Sequence, residues 1–438
     1  MALILETASD LAAALADGLA EARDRTRAVV APYAESVLHR QHDPLMSPLV
    51  WDVAHIANFE DLWLVRALGG PPTRHGLDDL YDAFKQPRRH RATLPILGIE
   101  EAFAYGDEVR ARALERLAAS DLDPSGPDRL LRHGFVQAMV VQHEQQHIET
   151  LLAAVQLLPE HEGHVRTAAP VPSAVVPTQG EVLVPAGPFT MGSDHPWSYD
   201  NERPRHERWV DEYFIDVAPV TNGAYAEFVD GGGYDDPRWW SAEGWRWRQE
   251  ASLSAPQLWR RVGGTWWRNR FGAIGPVPAD EPVQHVCWHE ADAYARWAGK
   301  RLPTEAEWEK AAAHDPGAAS RALWPWGESP PDETRANLGG RHLGPAPVGA
   351  YPAGVSASGC HQMLGDVWEW TSTDFGPYPG FSAFPYDEYS AVFHGADYKV
   401  LRGGSWASDP SVCRTTFRNW DYPIRRQIFC GFRCARTA

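Results

Sequence analysis

The chain has 438 residues, 44% of them hydrophobic, and a formal net charge of −17. Because this length exceeds one ordinary hydrophobic core, we expect two domains. The negative charge argues against nucleic acid and anionic membranes as partners, since both attract basic surfaces.

The N-terminal stretch and the cysteines predict a cytoplasmic protein. The opening MALILETASDLAAAL carries acidic residues and lacks the basic n-region of a signal peptide. No apolar run approaches the length of about 18 residues that a membrane span requires. The five cysteines form no metal-type CxxC pair, and reduced thiols are the rule in the cytosol.

The first part of the chain predicts helices. Four long segments between residues 8 and 158 carry apolar residues at three- to four-residue spacing. At the start of SPLVWDVAHIANFEDLWLVRAL, Ser47 is a suitable N-cap and Pro48 fits the first turn. Four long helices indicate an antiparallel bundle, whose interior commonly holds metal sites. We therefore assign residues 1–160 to an all-α four-helix bundle.

A change of composition then divides the chain. Residues 161–178 are rich in Pro, Ala and Val and have no helical period, which predicts a linker. From residue 179 to residue 438, short strand-like runs are interrupted by Gly and Pro. One helical segment, TEAEWEKAAA, begins with Thr304 as N-cap and Glu307 as its partner in a capping box. This region predicts an α+β domain.

The segment VVQHEQQHIETLL carries the H-E-x-x-H signature of zinc proteases. On a helix, His143 and His147 lie one turn apart on one face and can bind one metal ion. A protease would also use Glu144 as general base. The longer protease motif is absent, since Thr150 and Ala153 stand where Gly and His are required. A hydrogen-bonded, purely structural histidine pair is the alternative.

A third imidazole lies upstream. His55 falls in the apolar helix LVWDVAHIANFEDLW, with Trp51 one turn before it and Phe59 one turn after it. A histidine on an apolar face is more often a satisfied core residue than a ligand. Together with His143 and His147, however, it makes a three-histidine set with open coordination positions, which suits iron or catalytic zinc.

Two groups of motifs resemble known families. SPLVWDVAHIANFEDLWL and HEQQHIET are similar to the DinB-type helical domain of the sulfoxide synthases of ergothioneine biosynthesis, the EgtB family. Their pattern, an upstream His and H-x3-H-x-E, falls here on His55, His143, His147 and Glu149. In the second half, TMGS, RLPTEAEWEKAA, LGDVWEW, VLRGGSW and GFRCAR occur in the order of the formylglycine-generating-enzyme (sulfatase-modifying-factor) domain. The resemblance implies a DinB-like four-helix bundle followed by an α+β variant C-type-lectin domain.

One departure separates this chain from the formylglycine-generating enzymes. They use a cysteine pair shortly after RGGSW, where this chain has Ser408 and Cys413. The resemblance therefore implies the fold of that domain without its copper–thiolate chemistry.

The double resemblance implies an iron(II) enzyme that joins sulfur to carbon with O2. Its substrates would be hercynine (Nα-trimethylhistidine), γ-glutamylcysteine and O2, and its iron ligands would be His55, His143 and His147. Three alternatives stay open: cysteine as the thiol donor, histidine as the acceptor as in ovothiol synthesis, and a zinc-dependent DinB-type thiol transferase.

The stretch FRNWDYPIRRQIFCGFR resembles the substrate-binding segment of the same family. The resemblance implies that Gln146 and Asn419 orient the imidazole and that Trp420 packs on the trimethylammonium group. Asp421 would bind the ammonium group of the thiol substrate, and Arg425 would clamp its carboxylate. Without the resemblance, NWD and RR fit a solvated turn.

Two further roles follow from the resemblance. The basic cluster KQPRRHR would supply a second arginine for a carboxylate, Arg91, with Arg88 and Arg89 as alternatives. In this family a tyrosine donates a proton to oxygen, a task that suits a phenol because it is neutral at pH 7. The distance before NWD favours Tyr386, and Tyr378 is the second choice.

Overall fold

The computed structural model describes residues 8–164, 168–172, 175–313 and 322–438. The first seven residues, which enter the signal-peptide prediction, and parts of the predicted linker lie outside these ranges. The chain divides into two compact units near residue 165; the predicted end-points of the linker stay predictions. In the described part of the chain, no helix has the length and apolar character of a membrane span.

The first unit is the predicted bundle of four long helices. Its helices are α1 (Ala8–Val30), α2 (Glu35–Leu38), α3 (Leu49–Glu60), α4 (Asp78–Tyr81), α5 (Ile99–Ala119) and α6 (Phe135–Gln156). Among the long helices, α3 packs against α5 and α6, and α1 packs against the same two. A π-helical stretch, Asp61–Arg66, continues α3.

Helix α3 lies in the interior of the bundle, and most of its side chains are buried. It begins at Leu49 with Pro48 at the N-cap, so the predicted N-cap Ser47 was wrong. The Ser47 hydroxyl instead accepts a hydrogen bond from Arg91, with 2.7 Å between Oγ and the guanidinium nitrogen. A tertiary contact therefore replaces the local cap.

In its described residues, the second unit combines short strands with four α-helices. The helices are α7 (Asn222–Asp230), α8 (Ala242–Glu250), α9 (Trp288–Trp297) and α10 (Glu305–Ala313). The strands are β1 (Glu181–Val184), β2 (Gly187–Met191), β3 (His206–Val210), β4 (Tyr213–Asp216), β5 (Trp259–Val262), β6 (Thr265–Arg270), β7 (Ala273–Pro276), β8 (Trp368–Phe375), β9 (Gly395–Arg402), β10 (Asn419–Asp421), β11 (Cys430–Gly431) and β12 (Ala435–Thr437).

These strands form four small sheets, with the orders β1-β4-β12, β10-β9-β8-β11, β2-β3 and β5-β6-β7. The capping box at the start of α10 is confirmed. The Glu307 amide lies 3.2 Å from Thr304 Oγ1, and the Thr304 amide lies 2.7 Å from a Glu307 carboxylate oxygen.

The NWD triplet forms the edge strand β10, not a solvated turn. It pairs antiparallel with β9, with Trp420 opposite Val400. Because side chains alternate along a strand, Trp420 points to one face of the sheet and its two neighbours to the other.

Candidate metal centre

Three histidines from two helices of the first unit converge on one point. His55 lies on α3, and His143 and His147 lie one turn apart on α6. One nitrogen from each ring lies within 4.8 Å of the others. The three sequence-predicted imidazoles are therefore brought together, with a spacing that can hold one metal ion.

Protein groups fix two of the three rings. Nδ1 of His55 lies 2.7 Å from the carbonyl oxygen of Tyr81, and Nδ1 of His147 lies 3.2 Å from Oδ1 of Asp52. Since a carbonyl and a carboxylate only accept hydrogen bonds, both Nδ1 atoms carry the proton. The lone pair of each ring is therefore on Nε2, which can bind a metal ion. A hydrogen bond from Nδ1 to a protein oxygen commonly fixes this tautomer at metal sites.

Aromatic rings pack against the same cluster. Trp51 stacks on His55 with 4.9 Å between ring centroids, and Phe59 stacks on His143 at 3.7 Å. Nδ1 of His143 is buried and makes no hydrogen bond to the described residues. A buried nitrogen without a partner is costly, and a metal ion or a water molecule would satisfy it.

The electrostatics favour neutral imidazoles. Burial lowers the pKa of His55 to about 3, with a smaller contribution from neighbouring His147. Burial also lowers the pKa of His143 well below its ordinary value. Because a metal ion binds the unprotonated ring, these two side chains are ready to bind at neutral pH without losing a proton.

Glu144, the residue that would act as general base in a protease, is engaged elsewhere. It is fully buried and accepts hydrogen bonds from Arg23 at 2.9 Å, Thr26 at 2.9 Å and Arg110 at 3.2 Å. The same two arginines also contact buried Glu60. Each of the four long helices contributes to this network, so Glu144 holds the bundle together and is not free to activate water.

The other predicted residues of the first unit differ in accessibility. Gln146 is partly buried and donates to the Gln142 carbonyl at 3.1 Å. Arg91 is only 5% exposed and lies 3.5 Å over the Trp51 ring, on the indole that also stacks on His55. Burial lowers the pKa of Arg91 to about 10.

The three guanidinium nitrogens of Arg91 each donate to a protein oxygen, on Gln86, Ser47 and Ala83. The alternatives Arg88 and Arg89 are exposed. These contacts use three of the five N–H groups of the guanidinium.

In the second unit, Trp420 lies within a group of aromatic side chains. It stacks on Phe375 with 4.1 Å between centroids and 9° between planes, and Phe393 and Tyr389 lie at 5.5 and 6.3 Å. Tyr386 lies 6.1 Å from Tyr389. The structure thus groups Tyr386 with Trp420 through Tyr389.

The second choice for the proton donor, Tyr378, lies apart from this group. Its ring is buried between the Arg418 guanidinium at 4.2 Å and His206 at 4.8 Å. Its hydroxyl is 3.5 Å from Glu305. These contacts hold the Tyr378 ring in place within the second unit.

Two predicted substrate residues are paired with each other. Nε of Arg425 lies 3.4 Å from Oδ2 of Asp421, and Arg425 is 2% exposed. The charges of the two side chains neutralise one another in this structure. Asp421 and Arg425 therefore form an ion pair at the end of strand β10.

Sequence reasoning missed the residues that hold the histidines. Asp52 lies three residues before His55, and this spacing was a signal that could have identified it. The signal does not show that Asp52 binds His147, because His147 is distant in sequence. The hydrogen bond from His55 to Tyr81 could not be predicted from residue types, because its acceptor is a backbone carbonyl.

Comparison with protein families separates the same two parts. Residues 19–151 match the DinB superfamily, and residues 166–438 match the sulfatase-modifying factor enzyme 1-like domain. Fold and cluster together define a class: a helical DinB domain with a three-histidine site, joined to a formylglycine-generating-enzyme-like domain. In the second domain Ser408 is buried and Cys413 is a buried free thiol.

The relatives give the particular family. The chain is 52% identical over 434 residues to the hercynine oxygenase of Mycolicibacterium smegmatis, with 96% of this chain and 98% of the relative covered. The hercynine oxygenase of Mycobacterium tuberculosis is 51% identical, with the same shares covered. The chain belongs to the hercynine oxygenase family.

More distant relatives match a smaller share of the chain. The formylglycine-generating enzyme of Streptomyces coelicolor is 35% identical over 309 residues, which covers 62% of this chain and 96% of that enzyme. Among solved structures, PvdO from Pseudomonas aeruginosa covers 62% of this chain and all of its own, at 24% identity and a TM-score of 0.41.

Proposed function

We propose that this chain is an iron(II)-dependent sulfoxide synthase that forms the C–S bond between hercynine and γ-glutamylcysteine. The observation that carries the proposal is the convergence of His55, His143 and His147, with a nitrogen of each ring within 4.8 Å of the others. Relatives named hercynine oxygenase, at 52% and 51% identity over nearly their full length, support hercynine as a substrate.

The proposed reaction balances with O2 as the only oxidant. One imidazole C–H bond and one thiol S–H bond break, and one C–S bond forms. One oxygen atom enters the sulfoxide, and the other leaves as water with the two hydrogens. Formation of the C–S bond and oxidation of the sulfur each release two electrons, which together reduce O2.

Iron(II) held by the three imidazoles would supply the redox chemistry that activates O2. Because the three imidazoles are neutral, they would leave the metal its full positive charge, which would suit an anionic thiol substrate. The protein contributes orientation, because reactants held in the correct geometry react far faster than free ones.

Each substrate group has a matching side chain in the proposal. Gln146 and Asn419 orient the hercynine imidazole by hydrogen bonds. Trp420 packs against the trimethylammonium group, an interaction worth about 0.5–2 kcal/mol. Asp421 binds the ammonium group of the thiol substrate, and Arg425 binds its carboxylate.

Arg91 is the proposed second partner for a substrate carboxylate. It would bind through the two N–H groups that do not take part in its hydrogen bonds to Gln86, Ser47 and Ala83. Its stacking on Trp51 supports this role, since a guanidinium with a fixed plane loses less freedom on binding.

Tyr386 is the proposed proton donor to oxygen. Burial, followed by the charges of Tyr199 and Asp200, raises the pKa of this phenol above its ordinary value. The phenol therefore stays protonated at neutral pH and can donate a hydrogen bond to a reduced oxygen.

The test is O2 consumption by protein loaded with iron(II) under anaerobic conditions. Uptake should require both hercynine and γ-glutamylcysteine, with the sulfoxide identified by mass spectrometry. His55→Ala should abolish it, whereas His161→Ala should not, because the His161 side chain is 81% exposed and outside the cluster. Absence of uptake with any thiol, or zinc as the metal of the active protein, would overturn the proposal.

The identity of the thiol donor is a separate question within the same experiment. A preference for γ-glutamylcysteine over cysteine should depend on Asp421 and Arg425. Arg425→Lys keeps the positive charge but cannot form a bidentate hydrogen bond to a carboxylate. It should therefore raise KM for γ-glutamylcysteine more than KM for hercynine.

A further inference from the structure

The three-residue turn Asp200–Glu202 connects the segment that carries Tyr386 to the rest of the second unit. Asp200 is 3% exposed and accepts two hydrogen bonds from that segment. The donors are the Phe384 amide, 3.2 Å from Oδ2, and the Ser390 hydroxyl, 2.7 Å from Oδ1. One donor precedes Tyr386 and the other follows it, so a single carboxylate holds both ends of the loop formed by residues 384–390.

The other two residues of the turn contact the chain just before Trp420. The Asn201 carbonyl accepts from Arg418 at 2.8 Å, and Glu202 accepts from Thr416 at 2.6 Å. Both contacts are buried. The turn thus fixes the tyrosine loop and strand β10 to the same short piece of backbone.

Asp200 is a buried carboxylate that neutral donors hold in place. No ion pair to it occurs in the described ranges, whereas its neighbour Glu202 is paired with Arg414. Burial accordingly raises the pKa of Asp200. A carboxylate accepts from both donors through charged oxygens, whereas an asparagine has one neutral acceptor oxygen and could bind Ser390 only by donating to its hydroxyl.

We propose that Asp200 is a positioning residue that fixes the loop 384–390 and thereby the Tyr386 hydroxyl. The inference rests on the proposed function, because it assumes that Tyr386 donates a proton to oxygen. Asp200 contacts the loop backbone and Ser390, and it acts through them. A displacement of about 1 Å in a reacting group can lower a rate roughly a hundredfold, which gives such an anchor a direct effect on the reaction.

The experiment compares product ratios in Asp200→Asn, Ser390→Ala and Tyr386→Phe, all with iron, hercynine and γ-glutamylcysteine. Ser390→Ala removes only one of the two anchoring bonds and serves if Asp200→Asn does not fold. Asp366→Asn is the matched control, since Asp366 is a fully buried carboxylate of the same unit that also accepts from neutral donors, on Ala346, Asn337 and Gln362.

We expect Asp200→Asn and Ser390→Ala to lower the ratio of sulfoxide to sulfinate by roughly tenfold, the factor that matches loss of one hydrogen bond to a charged group. The double variant Asp200→Asn/Tyr386→Phe should have the ratio of Tyr386→Phe alone, because the two residues act in one step. Asp366→Asn should lower stability without changing the ratio.

A second readout does not depend on turnover. The Phe384 amide should exchange its hydrogen faster in Asp200→Asn than in the parent or in Asp366→Asn, because a neutral oxygen replaces its charged acceptor and weakens the hydrogen bond. Unchanged exchange at Phe384, or an unchanged product ratio in both anchor variants, would overturn the role of Asp200. Failure of the proposed function is a different result, since the parent protein would then form no sulfoxide.

Discussion

Asp52 accepts a hydrogen bond from His147, with 3.2 Å between Oδ1 and Nδ1. The carboxylate is 2% exposed, and its second oxygen has no hydrogen-bond partner among the described residues. A buried carboxylate so placed orients the ring, fixes its tautomer and makes Nε2 a stronger donor to a metal ion.

Asp52→Asn should therefore weaken metal binding by about 10- to 100-fold. Titration of the metal-free protein with Co(II), followed by its visible spectrum, measures the loss without any turnover. Asp61→Asn is the matched control, because Asp61 is 1% exposed in the same unit but contacts Thr73. Equal affinity in Asp52→Asn and the parent would refute the role of Asp52.

Glu144→Gln should destabilise the helical unit by about 3 kcal/mol, since loss of one partner leaves the buried charges of Arg23 and Arg110 incompletely compensated. Chemical denaturation with helical circular dichroism measures the effect. The surface pair of Arg74 with Glu108 provides the control, and Glu108→Gln should cost less than about 1 kcal/mol. A stable Glu144→Gln protein would mean that the network contributes little.

Tyr386→Phe should retain metal and substrate binding but shift the product from sulfoxide toward the sulfinate of the thiol. The substitution removes one oxygen and little volume, so only the hydroxyl is tested. Product analysis by mass spectrometry decides the outcome. Should the variant make sulfoxide at the parent rate, Tyr386 is not the donor, and Tyr378→Phe becomes the next measurement.

Trp420→Leu should raise KM for hercynine by about 2- to 30-fold, which corresponds to the 0.5–2 kcal/mol of a cation–π contact. Affinity for the thiol substrate should change little. Phe393→Leu is the control, because it alters the same aromatic group at a ring 5.5 Å from Trp420. An equal KM for hercynine in Trp420→Leu and the parent contradicts the proposed contact.

The metal-free protein should lose stability as the pH falls from about 6.5. Because the folded pKa of His55 is about 3, the unfolded chain binds more protons than the folded chain between these values, and stability rises with pH there. The slope contributed by one such histidine is at most about 1.4 kcal/mol per pH unit. Denaturation midpoints at several pH values should fall less steeply for His55→Gln, whereas identical slopes would contradict the assignment.

Much of the local structure could be predicted from the sequence. The spacing of apolar residues predicted the four long helices, and Thr304 with Glu307 predicted the start of α10, because these signals act between residues close in the chain. The start of α3 was predicted incorrectly, since Arg91 binds the Ser47 hydroxyl that would have capped the helix. The strand formed by NWD could not be predicted from its local sequence, which also fits a turn, because the pairing of β10 with β9 is a long-range contact.

By itself the sequence determined which residue types were present and which helix faces they occupied: His143 and His147 one turn apart, and His55 on an apolar helix. Only the tertiary structure decided that the three rings converge and that Asp52 and the Tyr81 carbonyl set the tautomers of two of them. It also decided that Glu144 is bound by Arg23 and Arg110. The physical reason is that hydrogen-bond direction and burial depend on the packing of distant segments, and neither periodicity nor composition records which segments meet.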